Sequence, residues 1–456
     1  NFLIPSYVSD MGRYSRIEII KGPASAITGR GEPGGVINYT TKKPPKQTLE
    51  SYQLRIGSNS FVRGEVDRGG PLVPGRGIYY RAIAIAQSND LWRDFEDERR
   101  IAFFPSVYWE LANRKTNVLV EAEVFDGSTT GSLGTQFLNP RSNQATALTE
   151  ENIRAAGFKP FAFVPRKFQM AEPGATDNND KVASLMAFIN HRFNDIVSYR
   201  QSLMSFYLKS SVPFRNPFGG QILVATPAFL GTGQLTNGVS LGDIIIRRGA
   251  TLNGLDRRRV HAAQGDLLFE YKTPRLLDSK HATLLSYELT NTQGSSYNQN
   301  AIIAPINLNN PIYGAVPTNP FVNVDTNSNS ETLSYFVTQQ TNLLNDRVVA
   351  VYGFRYDDAN SRLENRRNAT VTRTEPPSTQ AQRWGLVVKP LQWLSLYYVN
   401  SDQEDPKQVR LRYTGLPPDD SRANELVEFG RKGKLKEWGG ESRVARRQGH
   451  RYPVPL

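Results

Sequence analysis

The chain has 456 residues, a formal charge of +12 from 55 Lys and Arg against 43 Asp and Glu, and no cysteine. The absence of thiols excludes disulfides, thiolate nucleophiles and cysteine-ligated metals, and the four scattered histidines (His191, His261, His281 and His450) form no paired metal or acid–base motif. Mean hydropathy is −0.47 and no stretch of about eighteen apolar residues occurs, so a helical membrane span is excluded, whereas a membrane β-barrel is not, because its strands alternate and average out as polar.

The first strand signal is Arg16-Ile17-Glu18-Ile19-Ile20-Lys21. A stretch rich in glycine and proline follows, from Gly22 and Pro23 to Gly34 and Gly35, and turns abruptly into the β-branched run Val36-Ile37-Asn38-Tyr39-Thr40-Thr41. The local reading is strand, glycine-rich crossover, strand. Gly29-Arg30-Gly31-Glu32-Pro33-Gly34 also satisfies the dinucleotide pattern G-x-G-x-x-G letter for letter. That pattern needs a helix whose N-terminus receives the pyrophosphate. Strand formers follow here instead, so a tight glycine turn fits better.

After Pro44-Pro45 the period becomes two. In Asn117–Asp126 the residues Val118, Val120, Ala122 and Val124 take one face, and Asn117, Glu121 and Glu123 the other. In Ile78–Gln87, Arg81 and Gln87 lie opposite Tyr80, Ala82, Ala84 and Ala86. Such strands put one face in lipid or core and the other in water. Further strands are expected at 49–57, 61–69, 101–111, 197–209, 260–272, 283–292, 332–344, 348–357, 382–389 and 394–400, several of them long enough to cross a bilayer when tilted. Tight turns at 274–278, 345–346 and 390–393 alternate with long polar connections expected over 129–195, 213–256, 293–330 and 359–380. Short turns at one end and long loops at the other are the mark of an outer-membrane barrel. Twenty Tyr and 22 Phe against four Met agree with aromatic girdles. Lysines and arginines are interspersed with acids, so nucleic acid is not an expected partner; a positive rim facing anionic ligands or lipopolysaccharide is one reading of the charge.

Taken together, Arg16–Pro23 and the run Gly29, Gly34-Gly35-Val36-Ile37-Asn38, Lys42-Lys43-Pro44 resemble the end of the plug domain of TonB-dependent outer-membrane receptors of the ferric-siderophore, ferrichrome-like type. Arg355-Tyr356-Asp357 and Trp393–Tyr398 resemble barrel segments of the same family. Thr28 departs from it, standing where the family usually has tyrosine. The resemblance implies an all-β fold: a plug remnant over residues 1–47, then part of an antiparallel transmembrane barrel over 48–438, about 12–15 strands of the family's roughly 22. Residues 439–456 change character, with Arg443, Arg446, Arg447 and Arg451 against Glu441 and no alternation, and are expected to be a basic tail foreign to the family, from a frameshift or truncation. The first half of the plug and the segment that contacts TonB are expected to be absent, as are the last barrel strands. A polypeptide of this extent is not expected to assemble by itself, because unpaired strand edges are costly in hydrocarbon.

The implied activity is transport, not catalysis: uptake of a ferric siderophore across the bacterial outer membrane, driven through the TonB complex. The receptor is expected to be a monomer amid outer-membrane lipid and lipopolysaccharide. No cofactor or protein-bound metal is expected, because iron arrives inside its chelate. The resemblance points to Arg16, Glu18 and Arg30 as plug contacts with the barrel wall and to Gly22, Pro23, Gly29, Gly34 and Gly35 as turn geometry. It offers Tyr7 and Glu32 as residues facing the ligand. A plugless porin-like channel and a secreted β-rich glycan-active enzyme are the alternatives. The first has no use for the Gly22–Pro44 segment, and no carboxylate signature supports the second.

Overall fold

Antiparallel pairing organises the whole of the computed structural model, which describes residues 9–21, 35–111, 114–130, 167–169, 171–224, 238–240, 243–273, 277–307, 310–374, 378–412 and 426–442. A short 3-10 turn, Met11–Arg13, leads into β1 (Tyr14–Lys21), which pairs with β2 (Gly35–Thr41) as a separate two-stranded sheet. Ile19 stands opposite Ile37 and Ile17 opposite Tyr39, so the two β-branched runs seen in the sequence form one ladder. Gly35 opens β2 opposite Lys21. The run after the glycines is thus a strand, not a nucleotide-binding helix.

The second sheet has 15 strands. It comprises β3 (Leu49–Ile56), β4 (Val62–Val73), β5 (Ile78–Asp90), β6 (Asp97–Glu110), β7 (Thr116–Thr130), β8 (Thr176–Arg192), β9 (Val197–Val224), β10 (Ile244–Thr273), β11 (Ser279–Asn307), β12 (Thr318–Leu343), β13 (Val348–Asn365), β14 (Thr370–Thr374), β15 (Thr379–Leu391), β16 (Leu394–Arg412) and β17 (Leu426–Ser442). Each strand pairs with its sequence neighbour in an up-and-down meander, except that the short β14 folds back on β13 and β15 takes the other side of β13. Among the described residues β3 and β17 are the edges and do not pair with each other.

Connections fall into two classes at opposite ends of the sheet. Between β8 and β9, β12 and β13, or β15 and β16 only two to four residues intervene. In the β12–β13 turn Leu344, Asn345 and Asp346 all take left-handed φ angles of 53°, 54° and 65°. Asparagine and aspartate tolerate that region best, and Asn342 Nδ2 donates to Asp346 Oδ1 at 2.8 Å to brace it. At the other end the strands themselves run far beyond a bilayer: β9 has 28 residues, β10 30, β11 29 and β12 26, where about 9–11 suffice for a crossing.

These lengths revise the long connections expected from sequence. β8 lies inside the expected 129–195 loop, and much of 213–256, 293–330 and 359–380 is paired strand. The extensions are rich in Asn, Ser and Thr, and their buried apolar residues cluster at the tops of β10 and β11, where Ala250, Ala301 and Ile303 pack with Leu252 and Ala315. Their order comes from ladder hydrogen bonds such as Thr251↔Asn300 and Ser295↔Asn327, which leave no hydrophobic period to read. β17 keeps its pairing with β16 through Ser442, a few residues past the expected change of character at Gly439.

Within the crossing segments the outward face is apolar, and the inward face is mixed: apolar clusters around Ile83, Ile85 and Phe104 and around Met204, Phe206 and Val260 are buried there, while on β4 and β7 it is charge that is buried. On β4 the side chains of Arg63, Glu65 and Asp67 are buried, with Val62 and Val66 exposed on the opposite face. On β7 Glu121 and Glu123 are buried, and Val124 is 56% exposed. Exposed Ile101, Phe103, Leu185, Leu203, Leu285, Leu289, Tyr335, Val337, Leu386 and Leu396 continue this apolar face across the sheet. A sheet that buries charge and exposes hydrocarbon has lipid as its outer solvent. Aromatic side chains Trp109, Phe193, Tyr271, Tyr352 and Trp393 are exposed near the short-turn end, where a girdle at the water interface belongs.

Candidate functional site

The inner face of β4–β7 meets the N-terminal segment along a seam of charge. Asp10 caps the 3-10 turn, accepting from the Gly12 N–H at 2.8 Å. It also receives a two-pronged Arg63 guanidinium at 2.8 and 2.9 Å, with Arg100 at 3.5 Å. One turn on, Arg13 donates to Glu123 at 2.5 Å, and its guanidinium lies over the Phe104 ring, 4.9 Å from the centroid. Glu123 accepts the Ser9 hydroxyl at 2.6 Å and the Ser184 hydroxyl at 3.4 Å. Past β2, Thr41 donates to Glu121 at 2.7 Å, and Lys42 reaches Asp67 at 3.4 Å and Glu65 at 3.8 Å. Arg81 clamps Asp67 and donates to the Lys43 carbonyl.

Five carboxylates (Asp10, Glu65, Asp67, Glu121 and Glu123) thus face five cations (Arg13, Lys42, Arg63, Arg81 and Arg100). The close approach depends on Gly12, where a Cβ would stand 2.6 Å from Ile85 Cδ1. Burial alone would raise the Asp10 pKa, but hydrogen bonds from Arg63 and the Gly12 N–H, with the charges of Arg63 and Arg100, hold it below 3.8. Beside the seam a polar cavity of about 550 Å³ is lined by Asn38, Thr40, Asn117, Asn190 and Arg200. Ion pairs so placed give specific docking with little net stabilisation, because desolvation offsets much of the attraction. They can therefore be broken and remade as a unit far more readily than an apolar core.

Farther round the inner wall, Arg355 is 1% exposed. It donates to Asp357 at 2.9 Å and to Glu288 at 3.2 Å, and sits over Phe336 at 5.5 Å. Arg355 and Asp357 thus point inward, with Tyr356 on the outer side of the same strand.

A second polar cluster ties the long-loop end together. Arg248 at the start of β10 donates to Glu172 at 2.9 Å and to the Ala304 carbonyl at 2.9 Å. Glu172 accepts the Gly314 N–H at 2.6 Å, and Tyr313 donates its hydroxyl to the Gln169 carbonyl at 2.8 Å. Gln169 donates to Glu96, which also receives Arg93. Three connections, after β5, β7 and β11, are thereby joined to the tops of β10 and β11. Burial and the nearby Asp94 charge, opposed by Arg248, push the Tyr313 phenol up to about 12.

Of the residues singled out in the sequence, Arg16 and Glu18 lie on β1 and pair with each other at 3.2 Å, and Glu18 also accepts from Asn38. Among the described residues their polar contacts stay within the small sheet. Tyr7, Gly22, Pro23, Gly29, Arg30, Glu32 and Gly34 lie outside the described residues. The residues before β3 whose polar groups meet the wall include Ser9, Asp10, Arg13, Thr41, Lys42, Lys43 and Lys46. A signal for their partners exists in the sequence: acids and arginines at strict i, i+2 spacing with small uncharged residues between, as in Arg63-Gly64-Glu65-Val66-Asp67 and Glu121-Ala122-Glu123.

No protein-family model matches the chain. It is 32% identical over 193 residues to the metal-pseudopaline receptor of Pseudomonas aeruginosa, covering 42% of this chain and 24% of that receptor. It is 26% identical over 197 residues to the ferrichrome outer membrane transporter/phage receptor of Escherichia coli, covering 43% and 24%. The chain thus spans about a quarter of the length of these relatives. Among solved structures it superposes on the E. coli ferric-catecholate import receptor Fiu with a TM-score of 0.75 at 16% identity, over 95% of this chain and 61% of that one. The ferripyoverdine receptor of P. aeruginosa gives 0.67 at 18%, over 96% and 52%. The chain shares its fold with these outer-membrane siderophore receptors and is similar over part of its length to TonB-dependent receptors of Gram-negative bacteria. Within that class the named relatives are receptors for siderophores and metal chelates, none of them an enzyme.

Proposed function

We propose that the chain is the seam-bearing part of a receptor that takes up a ferric siderophore across the outer membrane, with energy delivered through the TonB complex. Residues 1–47 form the plug side of the seam and residues from 48 onward the barrel wall, in keeping with the separate pairing of β1 and β2. The observation that carries the reading is the joint one: an outward apolar face, and an inward face whose buried charges are neutralised by a separate segment. A fixed soluble core has no reason to invest in such an interface, whereas a gate that must stay shut and still yield does.

Tyr7 and Glu32, as ligand-facing residues of the plug, and Arg30, as a wall contact, remain part of the proposal, as do the glycine turns Gly22–Pro23, Gly29 and Gly34. Outer-membrane lipid surrounds a monomeric receptor. The test is uptake of radiolabelled ferric siderophores by cells relying on the full-length receptor, with and without a functional TonB complex. Dependence on both receptor and TonB is expected. Equal accumulation without TonB would point to a passive porin-like channel and overturn the reading.

A further inference from the structure

Above the level of the seam the inner wall carries a cavity of its own. Ser184 on β8 donates to Glu123, the carboxylate that holds Arg13, and so marks the height at which the N-terminal segment meets the wall. Asp180 lies four residues nearer the long-loop end of the same strand, about 13 Å away on the same inward face. From it a single cross-strand row runs through Ser210, Asp256, Ser296 and Thr326, crossing β8 to β12. These five residues line a cavity of about 710 Å³. In the next row down, Arg258, Gly294 and Ser328 complete it. Gly294 keeps a notch open there, since a Cβ would stand 2.7 Å from Ser328 Oγ. Arg257 also borders the cavity but alternates to the outward side, opposite Lys209.

The charge of this lining runs against that of the chain, which is +12 overall. On the inward side two carboxylates stand against one guanidinium, that of Arg258. In the seam every acid is held by a cation or a hydroxyl, whereas among the described residues neither Asp180 nor Asp256 is in an ion pair. Hydroxyls supply most of the remaining polar surface, and among the described residues no aromatic ring lines the cavity. Asp180 and Asp256 flank Ser210 two strand spacings apart, about 10 Å, so a cation placed over Ser210 lies within about 5 Å of each row position. A cleft lined by one sign of charge concentrates its field on the ligand, and a carboxylate binds most strongly to a donor that is itself charged. A trianionic tris-catecholate would meet like charge here and find no ring on which to stack.

We propose that this cavity selects ferric chelates that bear a protonated amine. The ammonium lies over Ser210 between Asp180 and Asp256, and oxygens of the chelate take the hydroxyls of Ser296, Thr326 and Ser328. The inference rests on the reading of the chain as part of a siderophore receptor and narrows the class of its ligand. Its test is calorimetric titration of the full-length receptor in detergent with three probes. The first is desferrioxamine B loaded with ferric iron, a trihydroxamate with one terminal ammonium; the second is the same chelate N-acetylated, identical but for that charge; the third is a trianionic ferric tris-catecholate. The amine form is expected to bind about tenfold or more tighter than the acetylated form, and the tris-catecholate more weakly than either. The Asp180→Asn/Asp256→Asn double variant, which keeps the shape of both side chains, should remove the preference by weakening the amine form alone. Asp126→Asn, one strand away on the outward face and paired with Lys181, should leave it intact. Equal binding of the amine and acetylated forms, or a double variant that weakens both alike, would overturn the site. Uptake by cells separates the two readings. TonB-dependent uptake of the tris-catecholate but not of the amine chelate removes only the ammonium site, and uptake of neither removes the transport reading with it.

Discussion

The inner seam and the junction at the long-loop end are built from the same chemistry and behave differently. Both bury arginine–carboxylate pairs. In the junction each acid has one cation: Arg93 with Glu96, and Arg248 with Glu172, the latter sealed at 0% and 4% side-chain exposure and locked further by backbone groups of Ala304 and Gly314. In the seam the charge is spread over many partners, from Arg13 at 5% to Lys42 at 24% and Arg100 at 27%, and Asp10, Glu65 and Asp67 each keep a second cation when one leaves. Concentrated burial makes a fixed joint, and distributed, partly wetted charge makes a contact that yields stepwise. The proposed receptor has a use for both: outer loops that keep their shape, and an inner segment that can part from the wall.

The sharpest way to break the comparison is at Glu172. Replacing it with alanine takes the carboxylate from the buried Arg248 and the acceptor from the Gly314 N–H, an expected loss of about 3–5 kcal/mol. Melting in detergent should fall, and limited proteolysis should open 167–175 and 310–317 first. At the seam, Arg13→Ala is expected to cost less, about 1–3 kcal/mol, because Glu123 keeps the hydroxyls of Ser9 and Ser184. Hydrogen exchange should quicken over 9–21 and stay unchanged in β10 and β11. Faster exchange in both places would show that joint and seam are one cooperative unit, and the distinction drawn here would fail.

Acid and base separate the two regions again. Asp10 is held below 3.8 in the folded protein, so its contribution is fully present above that value and is lost as pH falls through the lower folded pKa. Tyr313 is raised from 10.0 to about 12; the unfolded phenol ionises first, so the junction loses stability as pH climbs through that window. Exchange over 9–21 should therefore quicken in acid, and proteolysis near 310–317 in alkali. Asp10→Asn should flatten the first profile and Tyr313→Phe the second. A single profile shared by both regions would again join them.

Much of this was legible beforehand. Strands with an apolar outward face, such as β5 and β7, announced themselves through Ala82–Ala86 and Val118–Val124, because lipid on one side forces a period of two. The tops of β9–β12 did not, since Asn, Ser and Thr dominate them and the buried apolar residues of β10 and β11, such as Ile245, Ile246, Ile303 and Ile306, form a local cluster and not a lipid-facing stripe; β8 was hidden behind its polar start, Thr176-Asp177-Asn178-Asn179-Asp180. The plug segment was recognisable from its glycines and β-branched runs, yet its wall contacts were not. Asp10 and Arg13 precede the strand motif, and nothing local marks a residue whose partner, Glu123, is 110 positions away.

Arg13 and Arg16 make the smallest and most discriminating test. They are three residues apart, equally charged and flank the start of the same strand, and the motif drew attention to Arg16. The structure gives Arg13 a buried carboxylate on the wall and Arg16 only its neighbour Glu18, with side chains 64% and 41% exposed. An exposed pair of this kind gains little, because water screens the attraction and two long side chains lose freedom. Arg16→Ala is therefore expected to change stability by about 0–0.5 kcal/mol, to leave exchange over 9–21 intact and to have no effect on uptake. If Arg16→Ala instead matched Arg13→Ala, Arg16 would have a wall partner of its own. The seam would then extend along β1, and its strength would come from the number of charges rather than from the few that are buried.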